Sequence, residues 1–279
     1  LVPSYYSCDS DINQSKTMNA RLLRVLKRLK VGLINIRIDL KKYGNAAVLY
    51  YLIVLYLLRG QRLRHHKSFH VYGPDVYSIK ICTGCYHNCS FCSVRLSRGK
   101  LKSKTSSQIV EEFQEGIRLG FRKFGLLGTE TGIYGKDIQE SLAGLIDRIM
   151  DAGTGHKFEI RLRNIHPNWV IKNLIDLERL LDTGIITYMS IPIQSGSDRI
   201  LELMNRGYKV EDMKHAAMTI KNNFPSVNLH SQVMVGFPGE TDDDFCATLK
   251  FLKEIQFDGI EIYNFTPRDG TLAATMPNQ

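Results

Sequence analysis

From residue 76 onward the sequence repeats one pattern, in which a short apolar stretch is followed by a loop and then by apolar residues at helical spacing. Six of the stretches are predicted as β-strands, and they lie at residues 76–81, 124–127, 158–162, 186–193, 227–235 and 259–263. Helices are predicted between them, beginning at a capping box at residues 105–108 and then near 142–149, 168–182, 197–204, 210–221 and 241–254. This alternation predicts a parallel sheet with right-handed crossovers, which is the α/β class.

Six strand–helix units are fewer than the eight that close a standard barrel. The expected fold is therefore an open, partial (β/α)6 barrel, preceded by a basic, mainly helical N-terminal segment. Two domains are predicted, a basic segment at residues 1–75 and an α/β core at residues 76–279. In such folds the chemistry lies in the loops that follow the carboxyl ends of the strands.

The positive charge of this 279-residue chain is confined to its first quarter. The net charge is +9, and residues 1–75 alone contain thirteen Lys or Arg against four acidic residues. The remaining residues are neutral overall. This asymmetry indicates an acidic partner such as RNA or an anionic surface, although a solvated basic face explains it equally well.

The basic segment also contains the most apolar stretch of the chain. Residues 18–30 are predicted as an amphipathic helix and residues 33–40 as a short strand, and residues 46–58 form an unbroken apolar run. A membrane-spanning helix needs about 20 apolar residues, so no membrane span is expected. A buried helix is the preferred interpretation of the run, and an interfacial or partner-binding helix is the alternative.

The cysteine content bears on the compartment. Six cysteines in 279 residues are too few for a disulfide-stapled secreted domain. The sequence does not open with a signal peptide, so a cytoplasmic location is expected.

Four of the six cysteines lie together, in the segment CTGCYHNCSFC that follows the first predicted strand. One interpretation uses Cys82, Cys85, Cys89 and Cys92 as a tetrathiolate zinc site, although three residues between the two pairs leave little room for tetrahedral closure. The other sets Cys82 aside and assigns Cys85, Cys89 and Cys92 to three irons of a [4Fe–4S] cluster, since thiolate is the natural ligand of such clusters. The fourth iron would then be open to a substrate.

The second spacing, CxxxCxxC with an aromatic residue before the last cysteine, resembles the signature of radical S-adenosylmethionine (SAM) enzymes. The similarity continues through later segments, which together resemble the catalytic core of the methylthiotransferases over residues 76–279; these segments are LGTETGIYGKD, IPIQSGSD, MNRGY, VGFPGET and TPRDGT. The resemblance implies a [4Fe–4S] cluster and SAM as cofactors. It further implies reductive cleavage of SAM to a 5′-deoxyadenosyl radical, with the reducing electron supplied by a donor such as flavodoxin or ferredoxin.

The same resemblance implies roles for individual residues. Cys85, Cys89 and Cys92 are the expected cluster ligands, and no catalytic side chain is assigned. The expected SAM-binding residues are Phe91 for the adenine, Gly128, Thr129 and Glu130 for the amino group, Arg163 (or Arg161) on the third strand, Gln194 and Ser195 for the carboxylate or ribose, and Val235 and Gly236 beside the adenine. An ordinary turn at residues 128–130 and a helix cap at Ser195 or Ser197 are the structural alternatives.

Two features depart from that family. Its members carry three further cysteines in an N-terminal domain that holds a second cluster, whereas residues 1–75 contain only Cys8. The small RNA-binding β-barrel that follows the core is also not recognisable, so the sequence is expected to be a fragment or a shorter relative. The leading hypothesis is methylthiolation of a tRNA base or a polypeptide. The alternatives are a radical SAM modification without sulfur insertion and a zinc-bound RNA-binding protein.

Overall fold

The computed structural model describes residues 75–278, and the expectations for residues 1–74 lie outside that range. Eight strands are described: β1 Val76–Lys80, β2 Cys82–Thr83, β3 Lys102–Ser103, β4 Lys123–Leu127, β5 Glu159–Leu162, β6 Ile186–Gln194, β7 Asn228–Val235 and β8 Gly259–Asn264. Six of them form one sheet in the order β1-β4-β5-β6-β7-β8, and every neighbouring pair is parallel. In the described residues β1 and β8 do not pair, so the prediction of an open six-stranded α/β fold is confirmed.

The helices lie between these strands. Their bounds are α1 Val94–Arg98, α2 Ser106–Arg118, α3 Leu142–Ala152, α4 Pro167–Lys172, α5 Leu174–Asp182, α6 Asp198–Leu203, α7 Val210–Asn223 and α8 Asp242–Ile255. None of the helices in residues 75–278 is long and apolar enough to cross a membrane.

One predicted helix is divided in two. The helix predicted over residues 168–182 breaks at Asn173, whose backbone leaves the helical region at φ −120° and ψ 28°. The Asn173 side-chain amide donates to the carbonyl oxygen of Trp169 at 2.7 Å. An asparagine side chain that bonds to the backbone offers the chain an alternative to the helical ladder, which accounts for the break.

Three short elements near the cysteines were not predicted. Strands β2 and β3 pair antiparallel, with Cys82 opposite Ser103, and helix α1 follows directly after the cysteine loop. Two-residue strands and a five-residue helix are too short to produce a periodic signal in the sequence. They nevertheless brace both ends of the cysteine loop.

The apolar core lies between the sheet and the helices outside it. On α2, Ile109 and Phe113 are fully buried, and the Phe113 ring lies 4.5 Å from the ring of Phe124 on β4. A Cβ atom at Gly116 would stand 2.5 Å from the Phe124 side chain, so only glycine allows this close packing. The helices hold the sheet firmly enough for its carboxyl edge to serve as a scaffold.

A polar cluster joins the beginnings of α6 and α8. The buried carboxylate of Asp244 accepts hydrogen bonds from Ser197 Oγ at 2.6 Å and from the Thr241 N–H at 2.9 Å, and it forms an ion pair with Arg199. Burial alone would raise the pKa of Asp244, but these hydrogen bonds outweigh it and hold the pKa well below its usual range. We call Ser197, Arg199, Thr241 and Asp244 the Asp244 cap.

Candidate active site

The three cysteines assigned to the cluster lie in a tight loop between β2 and α1. The loop begins at Gly84, which has a φ of +73° and whose Cβ position would lie 2.0 Å from the backbone oxygen of Lys100. Only glycine fits both constraints. Further along, the N–H of Cys92 donates to the carbonyl oxygen of Cys89 at 3.1 Å, which closes a turn between these two cysteines.

Each of the three sulfur atoms faces an N–H donor. The backbone N–H of His87 donates to Cys85 Sγ at 3.3 Å, Arg206 Nη1 donates to Cys89 Sγ at 3.4 Å, and the backbone of Val94 bonds to the Cys92 thiol. Burial raises the pKa of Cys85 to about 11, and the His87 N–H opposes that rise. N–H donors directed at sulfur suit thiolates that bind iron, because iron removes the thiol proton and leaves a negative acceptor. The donor set therefore fits a [4Fe–4S] cluster.

Cys82 is engaged elsewhere. It belongs to β2, and its Sγ donates to the carbonyl oxygen of Glu130 at 3.4 Å. Burial, together with the nearby charge of Glu130, raises the pKa of Cys82 to about 12. A Cβ atom at Gly128 would stand 2.6 Å from this sulfur, so the glycine lets the loop after β4 lie directly against Cys82. Cys82 thus positions the Glu130 loop, which favours the three-cysteine ligand set over the four-cysteine one.

Glu130 is buried just after the carboxyl end of β4, and among the described residues the group nearest its carboxylate that can carry positive charge is the His87 ring. Its Oε1 accepts the N–H groups of Gly132 at 2.7 Å and His166 at 3.1 Å, while Oε2 lies 3.2 Å from Nε2 of His87. In the described residues Glu130 forms no ion pair with a lysine or arginine. A carboxylate has about four lone-pair positions, so Oε2 retains room for another donor. We call Glu130, His87 and His166 the Glu130 site.

The two histidines of this site were not predicted. Their rings stack with centroids 3.9 Å apart and an angle of 15° between the planes. The N–H of Asn168 donates to Nδ1 of His166, so the neutral ring carries its hydrogen on Nε2, which has no partner in the described part of the chain. Burial, followed by the charge of Arg206, holds the pKa of His166 far below its usual range. His166 therefore presents a fixed, neutral N–H.

The other predicted residues at the ends of β4 and β6 differ in whether their polar groups are already hydrogen-bonded. The Thr129 hydroxyl is buried and unpaired among the described residues. Gln194 is buried in the left-handed conformation, with a φ of 73°, and its side chain forms no hydrogen bond within residues 75–278. Ser195 bonds to Thr248 Oγ1 at 3.2 Å and accepts the Ser197 N–H at 3.1 Å. The cap of α6 is Ser197, whose side chain accepts the Ile200 N–H, so the capping alternative holds for Ser197 and not for Ser195. Ser195 is nevertheless engaged, whereas Thr129 and Gln194 keep their polar groups available.

The residues predicted to contact the adenine of SAM lie in two places, at the carboxyl end of β7 and in the cysteine loop. Gly236 follows the buried Val235 at the end of β7, with a φ of +72° and open space where a side chain would be. Phe91 lies in the cysteine loop and packs edge-on against Phe237, with the ring centroids 6.4 Å apart. Phe91 is therefore held in an apolar cluster, and no contact joins it to Glu130.

The face of the sheet opposite the helices carries charged residues. Ile160 and Leu162 point into the core, so Arg161 and Arg163 share the other face. Arg161 pairs with Glu159 at 2.8 Å, whereas Nη2 of Arg163 reaches Glu261 on β8 at 3.9 Å. Gln232 also donates to Glu261, at 2.8 Å. Because β6 and β7 separate β5 from β8, the Arg163–Glu261 pair spans two intervening strands, so Arg163 is the candidate whose side chain reaches across the sheet.

The sequence matches a known family over most of the described core. The family profile described as the Radical SAM superfamily matches residues 79–252. The chain belongs to the radical SAM superfamily. The resemblance and the two cofactors inferred from it, a [4Fe–4S] cluster and SAM, are confirmed.

Curated relatives place the chain near one branch of that superfamily. It is 36% identical over 202 residues to a probable threonylcarbamoyladenosine tRNA methylthiotransferase of Pyrococcus horikoshii, covering 72% of this chain and 47% of that protein. It is 33% identical over 208 residues to the ribosomal protein uS12 methylthiotransferase RimO of Syntrophomonas wolfei, covering 74% and 47%. The chain thus spans about half the length of these relatives. The similarity supports the prediction of an enzyme of the transferase type.

A solved structure shows the same fold at low sequence identity. The radical SAM methyltransferase TsrM of Kitasatospora setae aligns with a TM-score of 0.60 and 14% identity, covering 71% of this chain and 38% of that one. At this identity the likeness concerns the fold alone.

Proposed function

We propose that this chain contains the catalytic core of a methylthiotransferase-type radical SAM enzyme, with the cluster on Cys85, Cys89 and Cys92. The observation that carries the proposal is the position of His87. Its backbone N–H donates to Cys85 Sγ, and its ring lies 3.2 Å from the carboxylate of Glu130. One residue thus links the loop of cluster ligands to a buried anionic acceptor.

In this proposal the side chains bind and orient the cofactors. The carboxylate of Glu130 accepts the amino group of SAM, whose positive charge compensates the buried negative charge. Gly128 allows the backbone to approach closely, and Gln194, Ser195 and Arg163 supply polar contacts to the carboxylate or ribose. Phe91, Val235 and Gly236 bound the adenine. The cofactors, once bound, supply the one-electron reduction and the carbon radical, and the protein holds them in position.

The proposed net reaction is methylthiolation of a tRNA base or a polypeptide. Its support is the identity of 33–36% to proteins named as acting on tRNA or ribosomal protein. Residues 1–75 are proposed as an accessory domain that contacts RNA through its positive charge, beside a catalytic core at residues 76–279. Such substrates are cytoplasmic, so the cytoplasm is the proposed compartment. A small reducing protein, such as flavodoxin or ferredoxin, is the proposed electron donor.

A radical SAM modification without sulfur insertion is the second candidate. The specific observation in its favour is that residues 1–75 contain one cysteine, Cys8, where relatives with a second cluster need three. The two candidates share the SAM cleavage step and differ in the group that is transferred.

One anaerobic experiment tests the proposal. The full chain is reconstituted with iron and sulfide, and we expect about four irons per chain and formation of 5′-deoxyadenosine when SAM and dithionite are added. The triple variant Cys85→Ala, Cys89→Ala, Cys92→Ala loses both, because it lacks the ligands. The matched control Cys82→Ala keeps its iron. Wild-type protein that retains zinc but neither binds iron nor cleaves SAM would sink the proposal.

The transferred group is read from the product. Incubation of the reconstituted enzyme with unmodified tRNA, SAM, dithionite and sulfide is expected to show an added methylthio group by mass spectrometry of the nucleosides. Sulfide supplies the sulfur atom, one SAM molecule is cleaved to abstract the hydrogen atom, and a second supplies the methyl group. SAM cleavage without that product would favour the second candidate.

A further inference from the structure

A distant segment of the chain wraps around the cysteine loop. The Ser90 N–H donates to the carbonyl oxygen of Met204 at 3.0 Å, and Ser90 Oγ donates to that of Leu203 at 2.8 Å. The amide of Asn205 donates to the carbonyl oxygen of Asn88 at 2.8 Å. These bonds bring the segment MNRGY, residues 204–208, against the loop that holds the cluster ligands, although the function proposed above gave this segment no role.

Arg206 is the charged residue of this segment, and it is only 7% exposed. Its Nη1 contacts Cys89 Sγ at 3.4 Å, its Nη2 donates to the carbonyl oxygen of Pro192 at 2.6 Å, and its guanidinium lies 5.9 Å from the ring centre of Tyr208. Its Nε has no hydrogen-bond partner, and no carboxylate pairs with it among residues 75–278.

A buried guanidinium without a counter-ion is unfavourable, because removing a charge from water costs several kcal/mol unless an opposite charge compensates it. The contact that can supply negative charge here is the sulfur of Cys89. Once Cys89 binds iron as a thiolate, the cluster provides the anion that Arg206 lacks. The guanidinium is therefore placed for a negative cluster rather than for a protein carboxylate.

We propose that Arg206 raises the reduction potential of the cluster. This inference rests on the proposed function, since it needs a cluster on Cys85, Cys89 and Cys92. Reduction transfers one electron from an external donor, dithionite in the test below, to the oxidised [4Fe–4S] cluster, and it adds one negative charge. A fixed cation in contact with a ligand sulfur stabilises the reduced form more than the oxidised form, because charges interact strongly in a poorly solvated site.

The alternative is that Arg206 only fastens the 204–208 segment to the loop. Three variants separate the two roles. Arg206→Gln removes the charge but keeps hydrogen-bonding capacity, and Arg206→Lys keeps the charge but loses the planar fork. The control Arg95→Gln removes an exposed cation from helix α1, next to the loop, where Arg95 Nη1 donates to Asn88 Oδ1 at 3.4 Å. Water screens that exposed charge, so its removal should affect the cluster little.

The test is an anaerobic redox titration of the reconstituted full chain, followed by electron paramagnetic resonance of the reduced cluster, with iron counted in every sample. At the midpoint potential of the wild type, Arg206→Gln is expected to lower the ratio of reduced to oxidised cluster about tenfold, a shift of about 59 mV for a one-electron couple. Arg206→Lys is expected to lower the ratio about threefold, and Arg95→Gln less than twofold.

An Arg206→Gln protein with wild-type iron content and an unchanged ratio would overturn the inference. If that variant does not hold iron, Arg206→Lys decides: it keeps the charge, so a fall of tenfold or more in its ratio would show that the charge is not the cause and would overturn the inference as well. Failure of the wild type to bind iron would instead refute the proposed function, so the two failures are distinguishable.

Discussion

The Glu130 site and the Asp244 cap both contain a buried carboxylate that accepts several hydrogen bonds, but they differ in their cations. Asp244 is paired with the guanidinium of Arg199 and bonded to the hydroxyl of Ser197. Glu130 receives two backbone N–H groups and faces a histidine ring. The cation that neutralises Asp244 belongs to the protein, whereas no lysine or arginine of the described core does the same for Glu130.

This difference separates a structural carboxylate from a binding one. A buried charge is stable when it is paired, so the Asp244 cap is complete in the protein alone. The Glu130 site has only the His87 ring beside its carboxylate in the described core, and in the proposed function the ammonium group of SAM supplies the missing charge and donors. A substitution at Glu130 should therefore weaken SAM binding and leave stability unchanged, whereas a substitution at Asp244 should lower stability and leave SAM binding unchanged.

The largest expected effect is that of Glu130→Gln on SAM cleavage. The substitution keeps the size of the side chain but removes the charge, so a charge-assisted hydrogen bond worth up to about 3 kcal/mol is lost, or about 100-fold in SAM affinity. The measurement is 5′-deoxyadenosine formation as a function of SAM concentration. Iron content should match that of the wild type, and unchanged SAM dependence would remove Glu130 from the site.

Asp244→Asn should instead lower stability without affecting SAM. Removing the charge from the buried cap is expected to cost about 2 kcal/mol in the free energy of unfolding at neutral pH, measured by chemical denaturation. Because folding lowers the pKa of Asp244, its contribution is present above the unfolded pKa of about 4 and is lost as pH falls through the folded value. The gap between wild type and variant should therefore narrow in acid. A weaker SAM affinity at equal stability would contradict the distinction.

A third carboxylate, that of Glu240, lacks a direct ion pair in residues 75–278, and the expected effect of replacing it is smaller than for Glu130 or Asp244. Its Oε2 accepts the Gly236 N–H at 2.6 Å, and burial raises its pKa to about 7. The folded protein therefore binds more protons than the unfolded chain between about pH 4.5 and 7, so stability should fall as pH rises through that window.

Glu240→Gln should remove this pH dependence of stability. The free energy of unfolding of the wild type is expected to fall by about 1 kcal/mol across the window, after allowance for the partial exposure of Glu240. Denaturation curves for wild type and variant at pH 5 and pH 8 provide the measurement. Parallel pH profiles would show that Glu240 does not titrate in the folded protein.

The sequence was sufficient for the sheet, and it also supplied the proposed ligand cysteines, because both predictions depend on local pattern. Apolar stretches bounded by turn residues predicted six strands, and CxxxCxxC is a contiguous motif. His166 and Arg206 could not be assigned roles in the same way. Arg206 is 117 residues from Cys89, so its contact depends on how α6 ends relative to the cysteine loop. Residues 161–164 (RLRN), which lie just before His166, predicted only the end of a strand. Nothing in that local pattern indicated that the histidine belongs to the site.

The braces of the cysteine loop bear on the order of events during biosynthesis. Ser90 bonds to Leu203 and Met204, and its carbonyl oxygen accepts the N–H of Ala273. The loop therefore cannot complete its hydrogen bonds until residue 273 has been synthesised, and these contacts close long stretches of chain. A nascent chain displays its cysteines well before it can enclose a cluster. We therefore expect a cluster on this loop to become enclosed only after residue 273 has been added to the chain.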